Sequence, residues 1–167
     1  MKNFIISLLA FLLMLFPHST SLLSISLQIT NNTNVAAPKI INAIETSDVA
    51  ALEALMCLNI KQNIDDLPVK IGELFDAIDG DIIEISWKER GGSYEENREN
   101  GKTILQIGME FLITTTTGTY VICVWWEVIN TFQPEETGIR SIGLSQTNPL
   151  KSLAIISAIE GVGSWHD

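Results

Sequence analysis

From Pro38 onward apolar residues recur every three or four positions, and after Gly80 they recur every second position. The chain therefore changes from helix to strand near residue 80. The first helix is expected to start near Pro38, with Ile40, Ile41 and Ile44 on one face, and to stop at "ETSD". Thr46, Ser47 and Asp48 supply capping oxygens for a second helix from Val49 to about Asn59. Its stripe is Leu52, Leu55, Met56 and Asn59. "DDLP" opens a third helix, since proline is tolerated in a first turn. That helix buries Ile71, Leu74, Phe75 and Ile78, and Gly80 ends it where positive φ costs nothing.

Beyond Gly80, "DIIEISWK" sets Ile83, Ile85 and Trp87 against Ile82, Glu84, Ser86 and Lys88, the pattern of a half-buried strand. "ERGGSYEENRENG" reads as a solvated loop. Lys102–Thr114 and the apolar run "TYVICVWWEVINTF" then flank the turn "TTTTGT" as a hairpin. Pairing Thr114 with Thr119 sets Ile113 against Tyr120, Phe111 against Ile122, Met109 against Val124, Ile107 against Trp126 and Leu105 against Val128. That wholly apolar face must be the core. On the reverse, Leu112 faces Val121, Glu110 faces Cys123, Gly108 faces Trp125 and Gln106 faces Glu127. After "QPEETG", Ile139–Ser145 forms a last strand. The tail turns at Asn148-Pro149 and carries Leu150, Leu153, Ala154, Ser157 and Ala158 on one stripe, so a terminal helix is expected to pack back on the sheet. The fold class is α+β, three N-terminal helices on a curved four-stranded antiparallel sheet with an extra C-terminal helix.

Ahead of this domain, "MKNFIISLLAFLLMLFPHSTS" has a positive start at Lys2, an apolar run from Phe4 to Phe16 and a polar break, the form of an export signal. The expected organisation is a signal peptide or N-terminal anchor over 1–21, a polar tether over 22–37, the α+β domain over 38–146 and a partly helical tail over 147–167. Localisation is then secreted or anchored to the cell envelope, with membrane contact only through the N-terminal segment. The formal charge of −10 opposes nucleic acid and anionic lipid as partners. Two cysteines, Cys57 and Cys123, form neither a metal nor a disulfide pattern and read as small buried apolar side chains.

Three stretches carry a resemblance: "ALEALMCLNIKQNIDDLPVKIGELFDAIDGDIIEI", "GMEFLITTTTGTYVICVWWEV" and "EETGIRSIGL". Over Ile41–Leu144 the chain resembles the bacterial family known as domain of unknown function 5104, whose members are exported or lipid-anchored. Its order of elements also resembles the nuclear-transport-factor-2-like (cystatin-like) superfamily. The resemblance implies helices leaning on a bent sheet around a cone-shaped pocket. It brings no catalytic residues, and no acylated cysteine follows the apolar run.

Candidate chemistry is correspondingly thin. The two histidines, His18 and His166, lie at the ends of the chain, away from the domain core. No phosphate loop, nucleophile elbow, metal motif or cofactor signature is present. Trp87, Met109, Phe111, Tyr120 and Trp126 either line a ligand pocket or fill the core. Asp76, Asp79, Asp81 and Glu84 form a loose cation site or, more simply, a solvated acidic face, because Asp79-Gly80-Asp81 lacks calcium-loop spacing. Glu110 and Glu127 have raised pKa values if their sheet face is covered and are surface acids if it is wet. The leading expectation is a non-catalytic exported domain that binds a small apolar molecule or a protein partner. An isomerase or hydrolase using Asp76, Glu110 or Glu127 is the alternative. A third reading is a homodimer through the outer sheet face, with Val121, Trp125 and Ile129 at the interface.

Overall fold

The computed structural model describes residues 19–97, 102–147 and 150–157. Most of the export-type segment and both histidines lie outside the described residues. Among the described residues four helices come first: α1 (Ser19–Glu45), α2 (Val49–Ala54), α3 (Leu58–Asn63) and α4 (Leu67–Asp76). Five strands follow: β1 (Ile82–Asn97), β2 (Lys102–Thr115), β3 (Thr119–Asn130), β4 (Gly138–Thr147) and β5 (Leu150–Ser157). A 3-10 turn, Pro134–Glu136, precedes β4. The strands form one antiparallel meander in the order β1-β2-β3-β4-β5. The chain divides into two units at Val35/Ala36, and the sheet belongs to the second.

This corrects the expected three helices on four strands, and each difference has a physical cause. Helix α1 does not start near Pro38: the backbone is already helical from Ser19, through residues read as a tether, and Pro38 lies inside it. No helix of the described residues is long and apolar enough to cross a membrane. The expected Val49–Asn59 helix is two helices, because Leu55–Cys57 leaves the helical path to pair with the start of β4. Ile139 N–H donates to Leu55 C=O at 2.8 Å, and Cys57 N–H donates to Ile139 C=O at 3.0 Å. Gly138, at φ +133°, permits that approach; a Cβ there would stand 2.7 Å from the Leu55 oxygen.

Capping follows the sequence more closely. Asp48 accepts from Ala51 N–H at 2.9 Å and caps α2. Helix α4 buries Leu67, Ile71, Leu74 and Phe75 but ends at Asp76, short of Gly80. Gly80 is left-handed at φ +82° in the turn that follows. The β2–β3 turn clamps this segment: Thr117 Oγ1 donates to Asp79 C=O at 2.7 Å, and Asp81 N–H donates to Thr116 Oγ1 at 3.0 Å.

In the sheet, the central hairpin has the expected register from Thr114↔Thr119 through Gln106↔Glu127. It then slips at Val128, so Leu105 faces Ile129 rather than Val128. Ile129 thereby shares the face of Leu105, not the outer face assigned to it from alternation. Strand β1 bulges at Ile83 and Arg90. The first bulge turns Ile83 out, 65% exposed, while Ile85 and Trp87 pack against the core. The second, next to Gly91 at φ +96°, lets the strand run on to Asn97 through the segment read as a loop. Backbone pairing with β2 supplies the reason, since it gives the N–H and C=O groups of this segment partners.

The tail is also a strand. Leu150–Ser157 pairs with β4, with Ile156 opposite Ile142 and Ala154 opposite Leu144. An apolar run of this length satisfies either period, and the unpaired edge of β4 decides between them. The part of the tail beyond Ser157 lies outside the described residues.

Helices and sheet bury one contiguous core. Ile40, Ile44, Leu52, Ile60, Ile71 and Leu74 from the helices meet Met109, Phe111, Ile113, Ile122, Val124, Ile142 and Leu144 from the sheet. Each such aliphatic side chain contributes about 1.5–3 kcal/mol by leaving water.

Candidate functional site

The sheet face toward the helices is filled. Met109 and Phe111 are fully buried and Tyr120 is nearly so. Trp87 stacks on Phe111 with ring centroids 6.5 Å apart. Trp87 and Trp126 are half-buried against the same cluster. The Tyr120 hydroxyl accepts from Asp79 N–H at 3.1 Å, which joins β3 to the turn after α4. The five aromatic and Met candidates are thus brought together, with Met109, Phe111 and Tyr120 as core.

The three carboxylate candidates are kept apart. Asp76 is exposed at the end of α4. Glu110 lies on the outer face, where it pairs with Lys88 at 2.7 Å and Arg90 at 3.2 Å. Glu127 is completely buried rather than a surface acid. Its Oε2 accepts from Arg140 Nη1 and from Gln106 Nε2, each at 2.8 Å, and its Oε1 accepts from Asn130 Nδ2. Burial works to lower the Arg140 pKa, but hydrogen bonding and charge from Glu127, with smaller help from Glu136, together hold it above its ordinary value. Arg140 is the bulged residue of β4, facing no partner in the register with β3. Arg140 Nε and Ser141 Oγ, both buried, have no hydrogen-bond partner among the described residues.

Asn130 links this network to the helix layer. Its Oδ1 accepts from Phe132 N–H and Gln133 N–H, each at 2.9 Å, ending β3 in a side-chain-mediated turn. The chain then reaches Glu136, whose carboxylate accepts from Asn59 N–H at 3.2 Å. That contact caps α3, whose own N-cap, Cys57, makes no side-chain capping bond.

On the outer face a recess of about 230 Å³ is lined by Arg90, Gly108, Cys123 and Trp125 among others. The Trp125 ring lies over Gly108, 3.7 Å from where a Cβ would stand. Arg90 Nη1 lies 3.7 Å from Cys123 Sγ. Burial nevertheless raises the Cys123 thiol above its usual pKa, with Arg90 opposing, and burial does the same to Cys57. Val121 and Trp125 are half-buried. No C-terminal helix covers them within the described residues, because the tail extends the sheet at its edge.

A larger cleft, about 500 Å³, opens where the core stops, between the end of α1, the end of α4 and the start of β1. Ile44, Phe75, Ile78, Ile82 and Ile83 form its apolar lining; Glu45, Ser47 and Asp81 carry its polar side chains, and more polar than apolar surface faces it. None of its lining residues is basic. The cleft was not foreseen because the Ile83 bulge helps to make it, and alternation alone hides a one-residue insertion. Among the described residues no group of three or more His, Cys, Asp or Glu is arranged to hold a metal ion.

A family profile, Domain of unknown function (DUF5104), matches residues 39–147, and the chain belongs to that family. No curated protein matches the chain.

Proposed function

We propose that this member of the family is a non-catalytic binding domain of the bacterial cell envelope whose ligand, a small molecule, sits in the cleft between α1, α4 and β1. The observation that carries the reading is the cleft itself: its volume of about 500 Å³ falls within the range of small-molecule sites, and it lies beside a filled core. The envelope location rests on the Lys2 start and the Phe4–Phe16 apolar run. The separation of Asp76, Glu110 and Glu127 from one another weighs against the enzyme alternative, which needs acid and base groups converging on one cavity.

Native mass spectrometry of protein purified from its own envelope tests the reading. A bound small molecule is expected on the natural chain and absent from Ile83→Trp, which places an indole at the cleft mouth without touching the core. Equal occupancy in both proteins, or none in either, would reject the cleft as the site.

A second reading is favoured by one observation: Leu112 and Ile155 on the outer sheet face are each 41% exposed. They fit a second copy of the chain, and a strictly monomeric mass at micromolar concentration would reject it.

A further inference from the structure

We infer that the cleft between α1, α4 and β1 selects an organic ammonium compound, with a charged amine at the mouth and an apolar body against Phe75 and Ile78. The inference rests on the proposed binding role of this cleft and adds the charge of its occupant.

Four sources of negative potential converge there. Glu45 and Asp81 are both exposed, line the cleft, and enter no ion pair among the described residues. Helices α1 and α4 both end at the cleft, and the aligned peptide dipoles of a helix leave partial negative charge at its C-terminal end, even where, as here, turn N–H groups bond Asn42, Ala43 and Ile44 C=O of α1 and Phe75 C=O of α4. Helices are usually complemented at this end by Lys or Arg, yet neither α1 nor α4 has a basic residue in its last turn. Each ends instead on an acid, Glu45 and Asp76. The central-hairpin acids Glu110 and Glu127 differ, because each has an arginine partner.

The lining also separates an organic cation from a bare metal ion. A divalent metal such as calcium takes six to eight oxygen ligands, whereas Glu45, Asp81 and Ser47 supply fewer even with both carboxylates bidentate, and among the described residues no three or more His, Cys, Asp or Glu are grouped to hold a metal ion. An ammonium group needs about three acceptors, which two carboxylates and a hydroxyl supply. A small apolar body then meets the exposed edges of Phe75, Ile78 and Ile82, the lesser part of the lining.

The test uses the full chain with three probes of nearly equal shape: 2-phenylethylammonium, 2-phenylethanol and phenylacetate, followed by calorimetry and by NMR shifts of the cleft residues. The ammonium is expected to bind about two- to fivefold tighter than the alcohol, the size of an exposed charge contact, and phenylacetate to bind weakest. Glu45→Gln and Asp81→Asn should each remove much of that preference, lowering ammonium affinity more than alcohol affinity, and added salt should weaken the ammonium more than the alcohol. Equal binding of ammonium and alcohol would overturn the charge selection while leaving the cleft as a ligand site. Tighter binding of calcium or magnesium than of the ammonium would overturn the ligand class. Ammonium binding that survives Ile83→Trp unchanged would place the amine elsewhere and overturn the inference together with the cleft.

Discussion

Replacing Glu127 by alanine removes the acceptor for three side chains at once, Arg140, Gln106 and Asn130. Glu127 has no exposed surface, and the Arg140 side chain is 26% exposed with its Nε already unpaired. The variant therefore leaves a partly buried guanidinium facing a void, with two amides that have lost an acceptor. Breaking one half of a buried ion pair costs about 3–5 kcal/mol, against a total domain stability of roughly 5–15 kcal/mol. For a domain of this size about 1 kcal/mol moves Tm by roughly 3–5 °C, so a fall of about 10–20 °C is expected. Thermal unfolding followed by near-ultraviolet circular dichroism suits the measurement, because Trp125 and Trp126 neighbour residue 127. Glu127→Gln keeps shape and one acceptor and should lose less. The double variant Glu127→Leu/Arg140→Met should recover only the part of the loss that comes from the unpaired guanidinium, because Gln106 and Asn130 still lack their acceptor. A Glu127→Ala protein within about 3 °C of the natural chain would refute the assignment of structural weight to this carboxylate.

Two other outcomes test the fold directly. Gly138→Ala forces a side chain into φ +133° and within 2.7 Å of the Leu55 oxygen and 2.9 Å of the Cys57 nitrogen, so it should break the Leu55–Ile139 bridge. A loss of about 2–4 kcal/mol is expected as a lower urea midpoint, and an unchanged midpoint would mean that the contact is not held in solution. Burial raises both thiols, so the unfolded chain releases its thiol protons first as pH rises. Above the unfolded thiol pKa of about 8.5 the native state holds more protons, and stability falls with increasing pH. The urea midpoint should decline from pH 8 to pH 10, and less so in a Cys57→Ala/Cys123→Ala protein; Ellman's reagent should label native protein slowly and unfolded protein at once.

The parts of the fold that were legible are those in which two independent patterns agreed. The central hairpin is the best case: both faces of β2 and β3 constrain the same register, and a slip of one residue would have put Phe111 and Ile122 in water. The Asp48 cap was legible because a cap is a local device. What stayed hidden depends on partners far along the chain. The break after Ala54 exists because Ile139 takes the Leu55 and Cys57 backbone groups, and no periodicity in residues 49–59 reports that. The tail became β5 because β4 had an edge to satisfy. The Glu127–Arg140 pair had a faint signal, a single cation inside the apolar run "GIRSIGL" with Gln106 and Glu127 already opposed, but its geometry needs a bulge.

Those bulges have an electrostatic logic that bears on the cleft. Arg90 is the extra residue of β1 and Arg140 the extra residue of β4, so the two flank the central hairpin from opposite sides. A bulge leaves its extra residue unpaired and re-aims the side chain. Here each arginine meets a hairpin acid, Arg90 at Glu110 and Arg140 at Glu127. The sheet thus spends two irregularities on neutralising two carboxylates. A third bulge, at Ile83, delivers no cation: it turns an isoleucine toward a cleft that holds Glu45 and Asp81 and no basic side chain. The same device that balances charge on the sheet shapes the cleft and leaves its charge unbalanced. Inserting a cation there, as Ile83→Lys, should therefore stabilise the empty domain by about 0.3–1 kcal/mol through the helix ends and carboxylates while weakening ammonium binding. If Ile83→Lys left ammonium affinity intact, the unbalanced charge at the cleft would have no part in recognition.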